Sequence, residues 1–241
     1  MEHLITSTQL EALRSLKTPT VANAIESFRV RLRNVGFADS TIRCLFPNLP
    51  PIVGFAAPAR IRSANPPMDG SRNFDRTDWW NYLLTMPAPR VVVLQDVDSK
   101  PGFGSFVGEV HANVLIALGC VGLITNGAVR DLDAIEPTGF QMFAGSVAVS
   151  HAYAHILEFG SVVEAGGLRI APGDILHADR HGFLTVPPEI IGEIPAAAVK
   201  LLEEEQAIIH LCRSPEFSIG QLRELLKTQR MTRSRWTTQG Q

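Results

Sequence analysis

Residues 90–131 read RVVVLQDVDSKPGFGSFVGEVHANVLIALGCVGLITNGAVRD, and the order of patterns within them decides the fold class. Arg90 to Asp96 is a continuous apolar run with polar ends, as in a strand covered on both faces. SKPGFGSFVGE then places Gly102, Gly104 and Gly108 within seven residues, and from Val110 to Leu118 apolar residues recur at helical spacing. Val121 to Thr125 reads as a second buried strand, Asn126-Gly127 as a turn, and Val129 to Ile135 as a further short element. Strands alternating with helices predict an α/β domain.

Outward from this centre the patterns are shorter. Ser7 to Arg29 carries Leu10, Leu13, Leu16, Val21, Ala24 and Ile25, which predicts two helices broken at Lys17-Thr18-Pro19, with Thr18 or Thr20 as N-cap. IVGFAAPARIRS, within a Pro-rich region, predicts a strand, and Asp75 to Leu84 a helix. FQMFAGSVAVS reads as a strand and Ala152 to Phe159 as a helix. GGLRIAPGD reads as a hairpin-like strand and turn, and Gly182 to Pro187 as a short strand. Helices are expected over Ile194 to Cys212 and Ile219 to Thr228, with a fraying tail after Arg230.

Composition narrows the class. The 241 residues are 45% hydrophobic and 19% charged with a net charge of −2, which excludes disordered, collagen-like and coiled-coil chains. That balance supplies no global positive field for a polyanion, so no nucleic-acid partner is expected. Cys44, Cys120 and Cys212 are scattered and odd in number, which argues against a disulfide framework or a zinc site. No uncharged apolar run of 18 residues occurs, and MEHLITSTQLEALRSL lacks the basic start and apolar run of a signal peptide. The expectation is a cytoplasmic protein without membrane contact.

The chemistry concentrates between Gly102 and Asp131. A Gly-rich turn leading into a helix gathers backbone N–H groups that favour an anion. Glu109 beside such a site makes sense if a cation lies between them. Arg130 offers a planar fork for a carboxylate, and Asp131 a hard oxygen for Mg²⁺. A strand-turn-helix-strand path brings Glu109, Arg130 and Asp131 to one cleft. The alternative is a tight turn, a helix-capping Glu109 and a surface Arg130–Asp131 pair.

GSFVGEVHANVLIALGCVGLITNGAVRDLDAI, with TPTVANAIE before it and PGDILHADRHGFLTVP after it, resembles a known family. It is similar to the class II pyruvate aldolases acting on 4-hydroxy-4-methyl-2-oxoglutarate and 4-carboxy-4-hydroxy-2-oxoadipate, and to the RraA-like regulators of ribonuclease E. The resemblance runs to about Leu226. It implies a layered β/β/α swivelling-type domain with N- and C-terminal helices. Residues 1–187 would form that domain, and 188–241 a helical extension packing on a neighbouring subunit of a homotrimer or hexamer.

For the site the resemblance implies Asp131 as the metal ligand, for Mg²⁺ or Mn²⁺, and Arg130 as the group that contacts the substrate and stabilises its enolate. Glu109, where many relatives have Asp, would hold metal-bound waters, and amides around Gly108, Glu109 and Val110 would receive the substrate carboxylate. Glu205, beside Glu203 and Glu204, matches a carboxylate that relatives supply from a neighbouring subunit. The implied reaction cleaves a 4-hydroxy-2-oxo acid to pyruvate and a second 2-oxo acid, with oxaloacetate decarboxylation as a companion activity. Asn23-Ala24-Ile25 and Ala144-Gly145 depart from the Asp-Ala-Leu and Arg-Gly common in relatives, which points to a divergent subgroup.

The rival reading is a non-catalytic regulator that binds ribonuclease E or another protein. Regulators of that type are shorter, so residues 188–228 favour the enzyme. A methyltransferase has no support from a GxGxG nucleotide turn. Among other candidates, Asp174 and Asp179 are expected to satisfy turn amides, with His177 and His181 partly exposed or at a subunit contact. His111 and Asn113 either line the site or serve packing and capping. His151 and His155, spaced i,i+4, are expected on one helix face, Cys120 in the core, and Phe74, Trp79, Trp80 and Tyr82 in packing roles.

Overall fold

A computed structural model describes residues 5–68 and 74–236, with side chains through residue 229. Two helices, α1 (Ser7–Arg14) and α2 (Thr18–Phe28), lead into β1 (Arg43–Cys44), β2 (Ile52–Arg62) and α3 (Arg76–Thr85). The centre runs β3 (Arg90–Asp96), β4 (Ser105–Val107), α4 (Glu109–Ala117), β5 (Cys120–Val129), α5 (Leu132–Ile135) and β6 (Gln141–Val147). After it come β7 (His155–Phe159), the small hairpin β8 (Val163–Ala165) and β9 (Leu168–Ile170), then β10 (Ile175–Asp179) and β11 (Gly182–Val186). Helices α6 (Ile194–Arg213) and α7 (Ile219–Trp236) follow.

The main sheet has the order β1-β6-β5-β3-β2-β10-β11, with β4 added on β5 and β7 on β2. β2, β3, β5 and β6 are mutually parallel, so their carboxyl ends share one edge. Residues 36–44 nearly close the sheet: Ala38 N–H donates to Phe183 O, Thr185 N–H to Gly36 O, and Cys44 then pairs with Phe143 of β6. This is the α/β architecture with helices at both ends that the sequence predicts.

The apolar run of β3 serves two cores at once. Val92 and Leu94 pack with Trp79, Leu83 and Leu115 of α3 and α4, whereas Val91 and Val93 face Phe143, Leu176 and Phe183 on the other side. A third cluster joins Leu13, Val21 and Ile25 of the first helices to Leu184, Ile194 and Ala198. Arg90 is 9% exposed and closes two helix ends: its Nε donates to Met86 O at 2.8 Å and its Nη1 to Leu118 O at 2.6 Å. Such donors satisfy carbonyls that a helix end leaves open.

Several local expectations change. Asn126-Gly127 is no turn; the Asn126 amide pairs with both backbone groups of Asp96 at 2.7 and 2.9 Å, so β5 continues through a bulge to Val129. Residues 155–159 form strand β7 on the edge of β2, and Ala152 at φ 45° stops any helix there. His151 and His155 therefore share no helix face. Thr18 is the first residue of α2 rather than its cap; its hydroxyl meets His177 Nδ1 at 2.9 Å. The 3-residue strand β4 went unpredicted, and α7 extends to Trp236, past the tail expected to fray from Arg230; residues 237–241 lie outside the described residues. Among the described residues no helix is long and apolar enough to cross a membrane.

His177 is fully buried, against the expected partial exposure, with Nε2 at 3.0 Å from Leu13 O. It holds α1 and α2 to β10, helped by the Thr18 N–H that donates to Asp179 Oδ2 at 2.9 Å. Burial holds both His177 and His111 below the ordinary histidine value of 6.5. The unfolded chain takes up those protons first, so the stability is complete above about pH 6.5 and is lost as pH falls below it. The loss is at most about 1.4 kcal/mol per pH unit for each histidine. Thermal melts are expected to show Tm falling from about pH 7.5 to about pH 5.5, with a shallower fall in His177→Gln.

Candidate functional site

The parallel strands share one carboxyl edge, the side of an α/β sheet that commonly takes ligands. β4 pairs with the end of β5, Ser105 opposite Ala128 and Val107 opposite Val129, and Arg130 N–H donates to Val107 O at 3.3 Å. That pairing sets Gly108 directly beside Arg130 and Asp131. Asp131 takes a left-handed conformation, φ 62° and ψ 39°, at the start of α5. Asp tolerates this region better than most residues, and here it turns the carboxylate back toward α4.

Gly108 caps α4 with an extended backbone, so its role is spatial rather than conformational. A Cβ there would overlap Asp131 Oδ2 and sit 2.9 Å from Arg130 Nε. In the space that remains, Glu109 N–H donates to Asp131 Oδ2 at 3.0 Å, and Arg130 Nε lies 3.3 Å from the same oxygen. Asp131 Oδ1 has no protein partner among the described residues. The Arg130 and Asp131 side chains are 35% and 39% exposed, so they are open to a ligand. Glu109 is exposed next to them, at the positive end of α4.

Gly108, Glu109, Arg130 and Asp131 are thus brought together. The Glu109 amide, one of those expected to face a substrate carboxylate, is taken by Asp131. Glu205 lies apart on α6, where its Oε1 accepts from Asn23 Nδ2 at 3.4 Å, and no contact joins it to the other four within this chain among the described residues. No group of three or more His, Cys, Asp or Glu side chains placed to hold a metal exists among the described residues. The donors at hand are hard carboxylate oxygens, which suit a cation that keeps water and substrate oxygens as its other ligands.

The sequence model of the RraA-like family, described as Aldolase/RraA, matches residues 18–185. The chain belongs to the RraA-like family. Among solved structures it is similar to an uncharacterized protein from Pseudomonas syringae pv. tomato, with a TM-score of 0.70 and 20% identity, covering 93% of this chain and 97% of that one. It is also similar to Streptomyces coelicolor RraAS2, from the family of RNase ES inhibitors, with a TM-score of 0.66 and 18% identity over 86% of this chain and 98% of that one. At these identities the likeness is one of fold. A curated relative is protein DlpA of Legionella pneumophila, 26% identical over 129 residues. That match spans 52% of this chain and 20% of DlpA, so the chain accounts for about a fifth of that relative's length.

Within this RraA-like site, sequence reasoning missed the residues that hold the Gly-rich turn. Asp96, 2% exposed, accepts from Gly102 N–H at 2.9 Å and Asp98 N–H at 3.0 Å. Asp98 accepts from the Ser63 and Ala64 amides at 2.7 and 2.8 Å, and Ser63 Oγ accepts from Gly104 N–H at 3.0 Å. Burial pushes the Asp96 carboxyl above the usual carboxylate range, against the pull of these amides. The DVD at 96–98 was the available signal, but its partner Ser63 is distant in sequence. His111 packs: Nδ1 is 3.0 Å from Phe106 O, and Trp80 Nε1 donates to Nε2 at 3.4 Å. Asn113 caps locally onto Glu109 O at 2.9 Å. Asp174 and Asp179 do accept turn amides, from Ala171 and His181. Cys120 is buried, and that burial pushes its thiol up to about 12.

Gly108→Ala tests the cradle. The added methyl meets only two half-exposed side chains, which can move aside, so stability in urea unfolding is expected to change by less than about 1 kcal/mol. The methyl should shift the Glu109 amide resonance, because Asp131 must withdraw from it; an unmoved resonance would contradict the geometry.

Proposed function

We propose that this RraA-like chain is a divalent-metal-dependent lyase that cleaves a 4-hydroxy-2-oxo acid to pyruvate and a second 2-oxo acid, with oxaloacetate decarboxylation as a companion activity. The observation that carries the reading is the convergence at Gly108 of the Arg130 guanidinium, the Asp131 carboxylate and the Glu109 amide, near the carboxyl ends of the parallel strands.

Asp131 Oδ1 would hold Mg²⁺ or Mn²⁺, with Glu109 orienting water around the ion. When bound, the cation supplies Lewis-acid polarisation of the 2-oxo carbonyl. Arg130 binds the substrate carboxylate and neutralises the oxyanion that grows as the C3–C4 bond breaks. Its planar fork suits both tasks, which a lysine ammonium would do as a point charge only. The first amides of α4, at Val110 and His111, have no intrahelical partner and face the incoming carboxylate.

Residues 188–241 are proposed as an extension that packs on a neighbouring subunit of a homotrimer or hexamer and brings Glu205 to that subunit's site. In favour, α6 buries only Ile194 and Ala198 against its own chain and leaves Val199, Leu202 and Ile209 at least 36% exposed. The alternative is a non-catalytic regulator of a ribonuclease, which the match to the Aldolase/RraA family accommodates equally.

The deciding measurement is pyruvate release followed with lactate dehydrogenase, on a panel of 4-hydroxy-2-oxo acids and oxaloacetate, with Mg²⁺, Mn²⁺ or EDTA. Turnover is expected with metal and not with EDTA. Asp131→Ala should abolish it, and Arg130→Lys should lower kcat/KM by about 100-fold or more, as for loss of an oxyanion donor. Absence of metal-dependent turnover on every substrate would overturn the lyase reading.

A further inference from the structure

A second recess lies at the seam where residues 36–44 close the sheet. It has a volume of about 420 Å³ and is lined by Asp39, Ile42, Arg43, Cys44, Arg180 and His181, among others. It shares no residue with the Gly108 site.

Its charge is unbalanced in a particular way. Arg43 and Arg180 are exposed, and neither has an acidic or carbonyl partner among the described residues. By contrast, Arg60 pairs with Glu158, Arg62 with Asp98, and Arg90 with two carbonyls, while Arg31, between α2 and β1, donates to Thr185 O. Asp39, the only carboxylate of the lining, is occupied by the Thr41 amide and hydroxyl. The Cys44 thiol is neutral, pushed up to about 11 by burial, and points its hydrogen at Gln141 Oε1 at 3.6 Å. Two guanidinium charges therefore face the Asp39 carboxylate, with the buried Asp179 behind His181.

His181 completes the set. Its Nδ1 lies 3.0 Å from Asp179 Oδ1, and Asp179 is itself buried and anchored by the Thr18 and His181 amides. With Nδ1 directed at that carboxylate, the ring orientation is set and Nε2 is left for a ligand. Ile42 and Ala38 give the recess apolar wall, and its volume falls within the range of small-molecule sites rather than that of a bare ion.

We propose that this recess binds a small organic anion through Arg43, Arg180 and His181, the anionic group being a phosphate or a carboxylate. Planar guanidinium forks pair with either group in bidentate fashion. A recess of this size suits a small molecule. The proposal stands apart from the lyase reading, and either can fail alone.

The test is an NMR titration of the full chain with inorganic phosphate and, separately, with malonate, reading the Arg180, His181 and Gly182 amides. Saturable shifts at those amides are expected with at least one probe, and whichever binds tighter assigns the group. Arg43→Gln and Arg180→Gln should each weaken binding about tenfold or more, the loss of one charge-assisted pair. Arg169→Gln, an exposed arginine outside the recess, and Arg130→Gln should leave it unchanged. Both recess arginines are exposed, so these variants fold. No saturable shift with either probe would overturn the proposal. So would shifts that survive the double variant, or shifts lost in Arg130→Gln.

Discussion

The missing side chain at Gly108 is the constraint on which the candidate site rests. Because no Cβ stands there, Asp131 Oδ2 reaches the Glu109 amide at 3.0 Å and Arg130 Nε lies 3.3 Å from the same oxygen. Each neighbouring feature follows from that approach. β4 must pair with the end of β5 to deliver Gly108, and Asp131 must adopt its left-handed backbone to turn back. The Gly-rich turn before β4 must be held, which the Asp96, Asp98 and Ser63 network does through five backbone amides.

The buried polar groups divide by task. Asn126, at the bulge of β5, hydrogen-bonds both backbone groups of Asp96 at the end of β3, so these are satisfied within the protein. His177 and Asp179 join the N-terminal helices to the opposite edge of the sheet. Neither group competes for the cleft. The site itself keeps its charges about one-third exposed, within reach of a ligand.

The central stretch was legible because its signals are local. Seven residues from Arg90 to Asp96 pack on both faces, so an unbroken apolar run is their natural signature. Glu109, Arg130 and Asp131 could be nominated from residue type and the turn around them. Expectations failed where a distant partner overrides local preference. Asn126-Gly127 reads as a turn until Asp96 binds the Asn126 amide, and residues 155–159 read as a helix until the edge of β2 offers hydrogen bonds. His177 looked half-exposed because nothing nearby in sequence tells that α1 and α2 cover it.

Taken alone, the sequence determined the α/β class, the order of the central elements and the residue types able to do chemistry, because periodicity and glycine spacing act over a few residues. The tertiary structure decided that Gly108 lies against Arg130 and Asp131, that Glu205 stands apart within one chain, and that Arg43, Arg180 and His181 share a recess. Those relations depend on strand pairing and sheet closure between segments up to about 140 residues apart in sequence, and the approach of such segments is set by the packing of the whole core rather than by any local pattern.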